Sequence, residues 1–192
     1  MTILIIGAGI AGLTTALSLH QIGVDCRVFE SVETIEPLGV GINTLPHAVR
    51  ELTELGLGGQ LAAHGIPTAE LAYFSRHGGA IWSEPRGVDA GYKWPQFSIH
   101  RGVLQTILLD AARARLGTDR VMTGHHLAGW EETSDGVRVS FVNRRTGAAL
   151  GDALGSLLIG ADGIHSAVRA RLYPNEGPPK WNGAIWAAPP TP

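Results

Sequence analysis

The chain opens on an unbroken apolar run, Ile3 to Ile6, followed at once by glycines. A short run that is apolar on both faces and bounded by glycine predicts a buried parallel strand. Residues 11–22 then carry Leu13, Ala16, Leu17 and His20 on one helical stripe, with Gly23 placed as a C-terminal cap. Residues 24–30, VDCRVFE, alternate as a second strand, which completes a βαβ unit. The stretch EPLGVGINTLP reads as a glycine-rich loop. Pro46 suits a first helical position, and Val49, Leu52 and Leu55 give a stripe that ends at Gly56. The segment LAYFSRHGGAIWSEP predicts a hairpin around Gly78-Gly79. A helix over 101–116 follows from Leu104, Ile107, Leu108 and Ala111. Three strand candidates come next, LAGWEE, VRVSFV and GSLLIGA, joined by TSDG and by NRRTG with its trailing residues. A short helix is expected over 164–172.

The first turn carries the chemistry. Gly7, Gly9 and Gly12 form G-x-G-x-x-G between a strand and a helix, and Glu30 closes the second strand 23 residues after Gly7. Such a turn needs Gly7 to bend, Gly9 to let a pyrophosphate approach the backbone, and Gly12 to let the helix pack on the sheet. The pyrophosphate would lie on free N–H groups of Ile10, Ala11 and Gly12, where the helix dipole favours negative charge. A carboxylate at Glu30 can accept both hydroxyls of an adenosine ribose and repels a 2′-phosphate. With strand, helix and acid in place, dinucleotide binding is the reading. The alternative makes Gly9 and Gly12 packing residues and Glu30 a solvated strand end. The cluster alone does not separate NAD from FAD.

Composition narrows the classes. With 192 residues, 44% of them hydrophobic, the chain can bury one real core. A formal charge of −2 gives no reason to expect a nucleic-acid surface. The single cysteine, Cys26, lies in an apolar run and reads as a core thiol; it cannot form an internal disulfide. His125 and His126 are adjacent and point apart on a strand, so no metal site is expected. No basic leader precedes the first strand and no apolar run reaches the roughly 20 residues of a membrane span, so a cytoplasmic protein without membrane contact is expected.

Two further stretches discriminate between cofactors. In GADGIHSAVR, residues 160–169, a strand ends in Asp162-Gly163 and a helix begins; in SIHRGVLQTIL, residues 98–108, Arg101 starts a helix. With the opening glycines, these resemble the flavin-dependent aromatic hydroxylases, the single-component FAD monooxygenases. The stretches PLGVGIN, WSEPRG and GADGIHSAVR look closest to the branch that hydroxylates phenazine carboxylates. The resemblance implies an α/β, Rossmann-like FAD-binding domain of three layers, a parallel central sheet with an antiparallel β-meander, and part of an inserted substrate-domain sheet. It assigns 1–70 and 98–175 to the FAD-binding domain, and 71–97 with 176–192 to the partial substrate domain. It implies FAD as cofactor, NADH or NADPH as electron donor, and O2 with a small aromatic as substrates, through a flavin C4a-hydroperoxide and without a catalytic side chain. Cofactor contacts carried over by the resemblance fall on Asp162 and Gly163, on Arg101, on the loop Leu38, Gly39, Val40 and Gly41, and on Ser31 and Leu127 beside the residues of the first turn. On the residues alone, Asp162 can equally cap the following helix and Arg101 can be a surface cation. Ser166 reads as a cap, Arg169 as a helix ion pair, and His165 as a neighbour of the cofactor motif.

The family's downstream G-D motif, with its His-Pro type stretch, has no counterpart here, and the tail beyond Tyr173 holds six of the eleven prolines. The expectation is a C-terminally truncated chain, or a dinucleotide-binding module without hydroxylase activity. Trp181, Ile185 and Trp186 are expected to lack the sheet they should cover, which invites self-association through that edge.

Overall fold

Strand β1 (Ile3–Ile6) lies inside a four-stranded parallel sheet in the computed structural model, which describes residues 2–183. The sheet order is β12 (Leu157–Gly160), β1, β2 (Cys26–Phe29), β8 (Val121–Met122). Ile3 to Ile6 pair in register with Leu157 to Gly160 on one side and with Cys26 to Phe29 on the other. The expected βαβ unit is present, with α1 over Ile10–Gln21 rather than 11–22. Side chains alternate along β1 and β2 and so divide between two faces. Cys26 faces α1, its Sγ 3.7 Å from the Ala16 carbonyl oxygen. Burial first, then the Asp25 carboxylate, push the Cys26 thiol pKa up, which keeps it protonated and inert in the core.

The other face of the sheet is covered by an antiparallel meander of β9 (His126–Thr133), β10 (Gly136–Val142) and β11 (Ala149–Gly155). Leu4, Ile6 and Phe29 pack there with Leu127, Val137, Val139, Phe141, Ala153 and Val168. Phe29 and Phe141 stack at 4.3 Å, and His125 lies edge-on to Phe141 at 5.6 Å. Helix, parallel sheet and meander are the three layers expected. One of the meander strands is new: Ala149–Gly155 was read as part of a linker, and the strand expected over 155–161 is the parallel β12 instead. The last helix, α5, runs over Ala167–Leu172, three residues later than the expected start.

Packing divides the chain into two compact units, residues 1–36 with 108–192, and residues 37–107. The expected cuts at 70/71 and 97/98 isolate the hairpin; the packing units group it with its flanking helices and strands. In the second unit, β3 (Gly41–Thr44), β7 (Phe97–His100) and β4 (Ile66–Pro67) form a three-stranded antiparallel sheet. None of the three was expected; the first lies in what read as a glycine-rich loop. Helix α2 (Pro46–Glu54) begins at proline as expected, and α3 (Gly58–His64) adds a helix with no apolar stripe of its own. The hairpin of β5 (Glu70–Phe74) and β6 (Ala80–Pro85) forms as expected, as a separate two-stranded sheet. Helix α4 spans Arg101–Leu116 as expected, and the boundary between the units falls within it. No helix among the described residues is long and apolar enough to cross a membrane. Trp181 is largely exposed; Ile185 and Trp186 lie outside the described residues.

The Phe29–Phe141 stack joins sheet to meander at the centre of the first unit. Phe29→Ala should lower unfolding free energy by about 3–5 kcal/mol. Tyr73→Ala on the exposed hairpin should change it by less than about 0.5 kcal/mol. Urea unfolding midpoints of the two variants check this; equal midpoints would show that the stack is not central to stability.

Candidate functional site

The first turn is closed by backbone against backbone. Gly7 has φ +104°, and a Cβ there would sit 2.4 Å from the Ala161 carbonyl oxygen. A Cβ on Gly12 would sit 1.9 Å from the Gly7 carbonyl oxygen. Both glycines are therefore demanded by packing between β1, α1 and the end of β12. Gly9 is different. A Cβ there would meet no atom within 4 Å, and its backbone is in the ordinary extended region. Nothing within the described chain requires glycine at position 9, and the space above it is open. Gly9 is also the N-cap of α1. It brings no capping side chain, and no acid sits in the first turn, so an anion meets no competing carboxylate at the N–H groups of Ile10, Ala11 and Gly12. These features fit the pyrophosphate of a dinucleotide.

Glu30 is tied into the same turn. Its Oε2 accepts from the Ala8 backbone N–H at 2.8 Å. Its Oε1 accepts from the Ser31 hydroxyl at 3.0 Å and from the Val32 backbone N–H at 3.1 Å. The expectation of a carboxylate simply waiting for a ribose thus gains a second role. Glu30 holds the end of β2 to the glycine turn, and Ser31 orients it. A carboxylate has about four acceptor positions, so three bonds leave room for a ribose hydroxyl. The β8–β9 connection runs beside it, with the His125 N–H donating to the Glu30 carbonyl at 2.8 Å. Leu127 follows, but it is buried in the core and paired with Phe141 across β9 and β10.

Asp162 follows β12 next to Gly7, its Cα 3.1 Å from where a Gly7 Cβ would stand. Both of its oxygens are engaged. Oδ1 accepts from the Ser166 hydroxyl, and Oδ2 from the backbone N–H groups of Ala167 at 2.7 Å and Val168 at 3.3 Å. Ser166 in turn accepts from Arg169 N–H at 2.9 Å. The capping reading of Asp162 holds in this structure, and Ser166 is the cap it was expected to be. Gly163 and His165 are exposed beside it. Arg169 corrects an expectation: its ion-pair partner at 2.9 Å is Glu176, beyond the end of α5, not a residue within the helix. The first unit therefore assembles Gly7 to Gly12, Glu30, Ser31 and Asp162 around one turn.

The second unit brings together the other expected pair. Gly41 pairs with His100 across β3 and β7, the Arg101 N–H donates to the Val40 carbonyl at 3.0 Å, and a His100 ring nitrogen lies 3.0 Å from the Gly39 carbonyl. Gly39 has φ +127°, and a Cβ there would touch the Arg101 side chain at 3.4 Å. A Cβ on Gly102 would sit 2.3 Å from the Pro37 carbonyl carbon. The loop 37–41 is thus fastened to the start of α4, with Arg101 exposed beside it. His100, Gly102 and Pro37 were missed as positioning residues. The signal was present, since Gly102 is a glycine in the first turn of a predicted helix. Among the described residues, no group of three His, Cys, Asp or Glu side chains could hold a metal.

The FAD binding domain family matches residues 1–182. Phenazine 1,6-dicarboxylic acid hydroxylase PhzS of Lysobacter antibioticus is 51% identical over 90% of this chain and 43% of its own length. The 3-amino-4-hydroxybenzoate 2-monooxygenase of Streptomyces cremeus is 40% identical over 87% of this chain and 41% of its own. The crystal structure of Klebsiella pneumoniae HpxO complexed with FAD and uric acid is similar with a TM-score of 0.72 and 33% identity, covering 89% of this chain and 41% of that one. The chain spans less than half the length of these relatives.

Two outcomes are expected for the carboxylates. Glu30→Ala should weaken FAD binding by about 1–3 kcal/mol, the scale of hydrogen bonds to a charged group, and should also lower the melting temperature, because Ala8 N–H loses its acceptor. Asp162→Ala should cost about 0.5–2 kcal/mol of stability through lost capping. FAD titration and thermal melts check both; unchanged affinity and melting in Glu30→Ala would show that Glu30 only faces solvent. With strand, turn, acid and Asp-Gly stretch all in place, and with the match over residues 1–182, the chain belongs to the FAD binding domain family.

Proposed function

We propose that these residues form the FAD-holding part of a monooxygenase that takes electrons from NADH or NADPH and hydroxylates a small aromatic, of the phenazine-carboxylate kind. One atom of O2 enters the ring and the other leaves as water. The observation that supports the reading is the first turn: packing demands glycine at 7 and 12, while Gly9 leaves open space at an uncapped helix N-terminus. When bound, the flavin supplies the redox and oxygen chemistry. The chain's residues bind and orient. The N–H groups of Ile10 to Gly12 face the pyrophosphate, Glu30 takes a ribose hydroxyl, and the loop from Gly39 to Gly41 with Arg101 serves the flavin end. Asp162 fixes the start of α5 beside the turn, and Gly163 keeps backbone accessible there.

Hydroxylation is proposed for a protein of the relatives' length, since this chain matches 41–43% of two of them. Sheltering an oxygenated intermediate from water needs a closed pocket. For the 192 residues alone, weak FAD binding without hydroxylated product is the expected behaviour.

Gly9→Val tests the site directly. Because nothing surrounds that Cβ, the variant should melt within a few degrees of wild type yet lose FAD. Gly12→Ala should unfold, because its Cβ has no room. FAD titration with parallel melting curves decides it. Undiminished FAD binding by folded Gly9→Val protein would refute the assignment of this turn. For the activity, a chain of the relatives' length should consume NADH or NADPH in step with hydroxylated phenazine carboxylate; consumption that yields only hydrogen peroxide with every aromatic tried would refute it.

A further inference from the structure

A methionine sulfur meets an unpaired guanidinium at the β8 edge of the parallel sheet. Met122 and Arg27 lie on neighbouring strands, where Val28 pairs with Val121 and Phe29 with Met122. Arg27 and Phe29 alternate with Cys26 and Val28, so both project toward the meander. The Arg27 Nη2 donates to the Met122 Sδ at 3.1 Å, and the guanidinium carbon lies 5.0 Å from the Phe29 ring centroid. No carboxylate among the described residues pairs with Arg27. Asp25, two residues before it, is taken: it accepts from the Thr2 hydroxyl at 2.6 Å and pairs with Arg120 at 3.1 Å. Met122 is half-buried, and it lines with Arg27 a cleft of about 430 Å³ shared by Thr2, Asp119, Arg120 and Leu154.

The contact is chemically uneven. A thioether is a weak acceptor, whereas a guanidinium carries five N–H donors and a full charge. A sulfoxide oxygen at the same place is a far better acceptor, so the donor suits the oxidised sulfur more than the reduced one. The main chain holds that sulfur still: the Met122 carbonyl accepts the Glu30 N–H at 2.8 Å. Sulfur has two lone pairs. With one turned to Arg27, an incoming oxygen takes the other, which makes the sulfur stereochemistry single-handed. The remaining guanidinium N–H groups can then reach the new oxygen. The cation also stabilises the negative charge that develops on the leaving oxygen of a peroxide.

We propose that Met122 is a site of oxidation by peroxide, with Arg27 directing the oxygen and then holding the sulfoxide. The sulfur's electron pair forms the S–O bond and the O–O bond breaks. The leaving hydroxide takes the proton of the transferred oxygen and becomes water. Sulfur loses two electrons and the peroxide gains them. The assignment needs no flavin, so it stands or falls apart from the reading of the glycine turn. In the test, the full 192-residue chain, free of FAD, is treated with hydrogen peroxide. Tandem mass spectrometry of the tryptic peptide 121–138 follows the gain of one oxygen at Met122. Oxidation should be about tenfold faster in wild type than in Arg27→Leu, which keeps an apolar cover on Phe29, with Arg27→Lys in between. The wild-type peptide should carry one sulfoxide epimer in about tenfold excess, read by which of the two epimer-specific sulfoxide reductases restores it. Chain oxidised in urea should give both epimers, and so should folded Arg27→Leu. An unmodified Met122 under peroxide that converts free methionine, an equal rate or an equal epimer excess in wild type and Arg27→Leu, or an even epimer mixture in folded wild type would each overturn the proposal. Should Arg27→Leu fail to fold, the wild-type epimer ratio against the urea control decides it alone.

Discussion

At the first turn the helix sits so close to the strand ends that no side chain fits at Gly7 or Gly12. Everything around the turn follows from that approach. The helix can come this near only because main chain meets main chain, and the same nearness brings β12 and Asp162 against Gly7. The turn is then pinned from the opposite side by Glu30, whose carboxylate accepts the Ala8 N–H. A rigid, uncapped helix end results, with an open space over Gly9 that its own chain leaves unfilled. Packing thus fixes two glycines of a six-residue motif and leaves the third, Gly9, free of contact.

The two acids of the site are not spectators held in reserve. Glu30 and Asp162 each accept two or more hydrogen bonds from their surroundings, including backbone N–H groups. An acid placed this way is oriented before any ligand arrives, which lowers the entropy lost on binding. It also means that a substitution at either position acts on structure and affinity together, and the two effects must be measured side by side to be told apart.

Much of this was legible in the sequence, for physical reasons. The βαβ unit was readable because three signals fall within thirty residues: a solid apolar run, glycines at a strand-to-helix step, and an acid at the end of an alternating strand. The hairpin was readable from its alternation about Gly78-Gly79, and α4 from its apolar stripe. What escaped was short or masked. ALGDALG carries two glycines and an aspartate, so β11 has little strand propensity and is held by pairing with β10. The strands over Gly41–Thr44 and Phe97–His100 have only four residues each and exist through each other. The links from Glu30 to Ala8 and from Asp162 to Ala167 were invisible, because no spacing rule reports which backbone N–H a carboxylate will find.

The register of the parallel sheet sets an order of events. Ile3 to Ile6 are made well before one of their two pairing partners, Leu157 to Gly160. Ser156 and Thr2, which meet beside that pairing, are 154 positions apart. At roughly 5–20 residues per second, β1 waits on the order of ten seconds for that neighbour during synthesis. Through that wait its edge is open and its side chains are wholly apolar, a setting in which nascent chains invite chaperones or each other. Strand β1 is therefore enclosed only once β12 exists, and the last pair of that register, Ile6 with Gly160, lies next to the glycine turn.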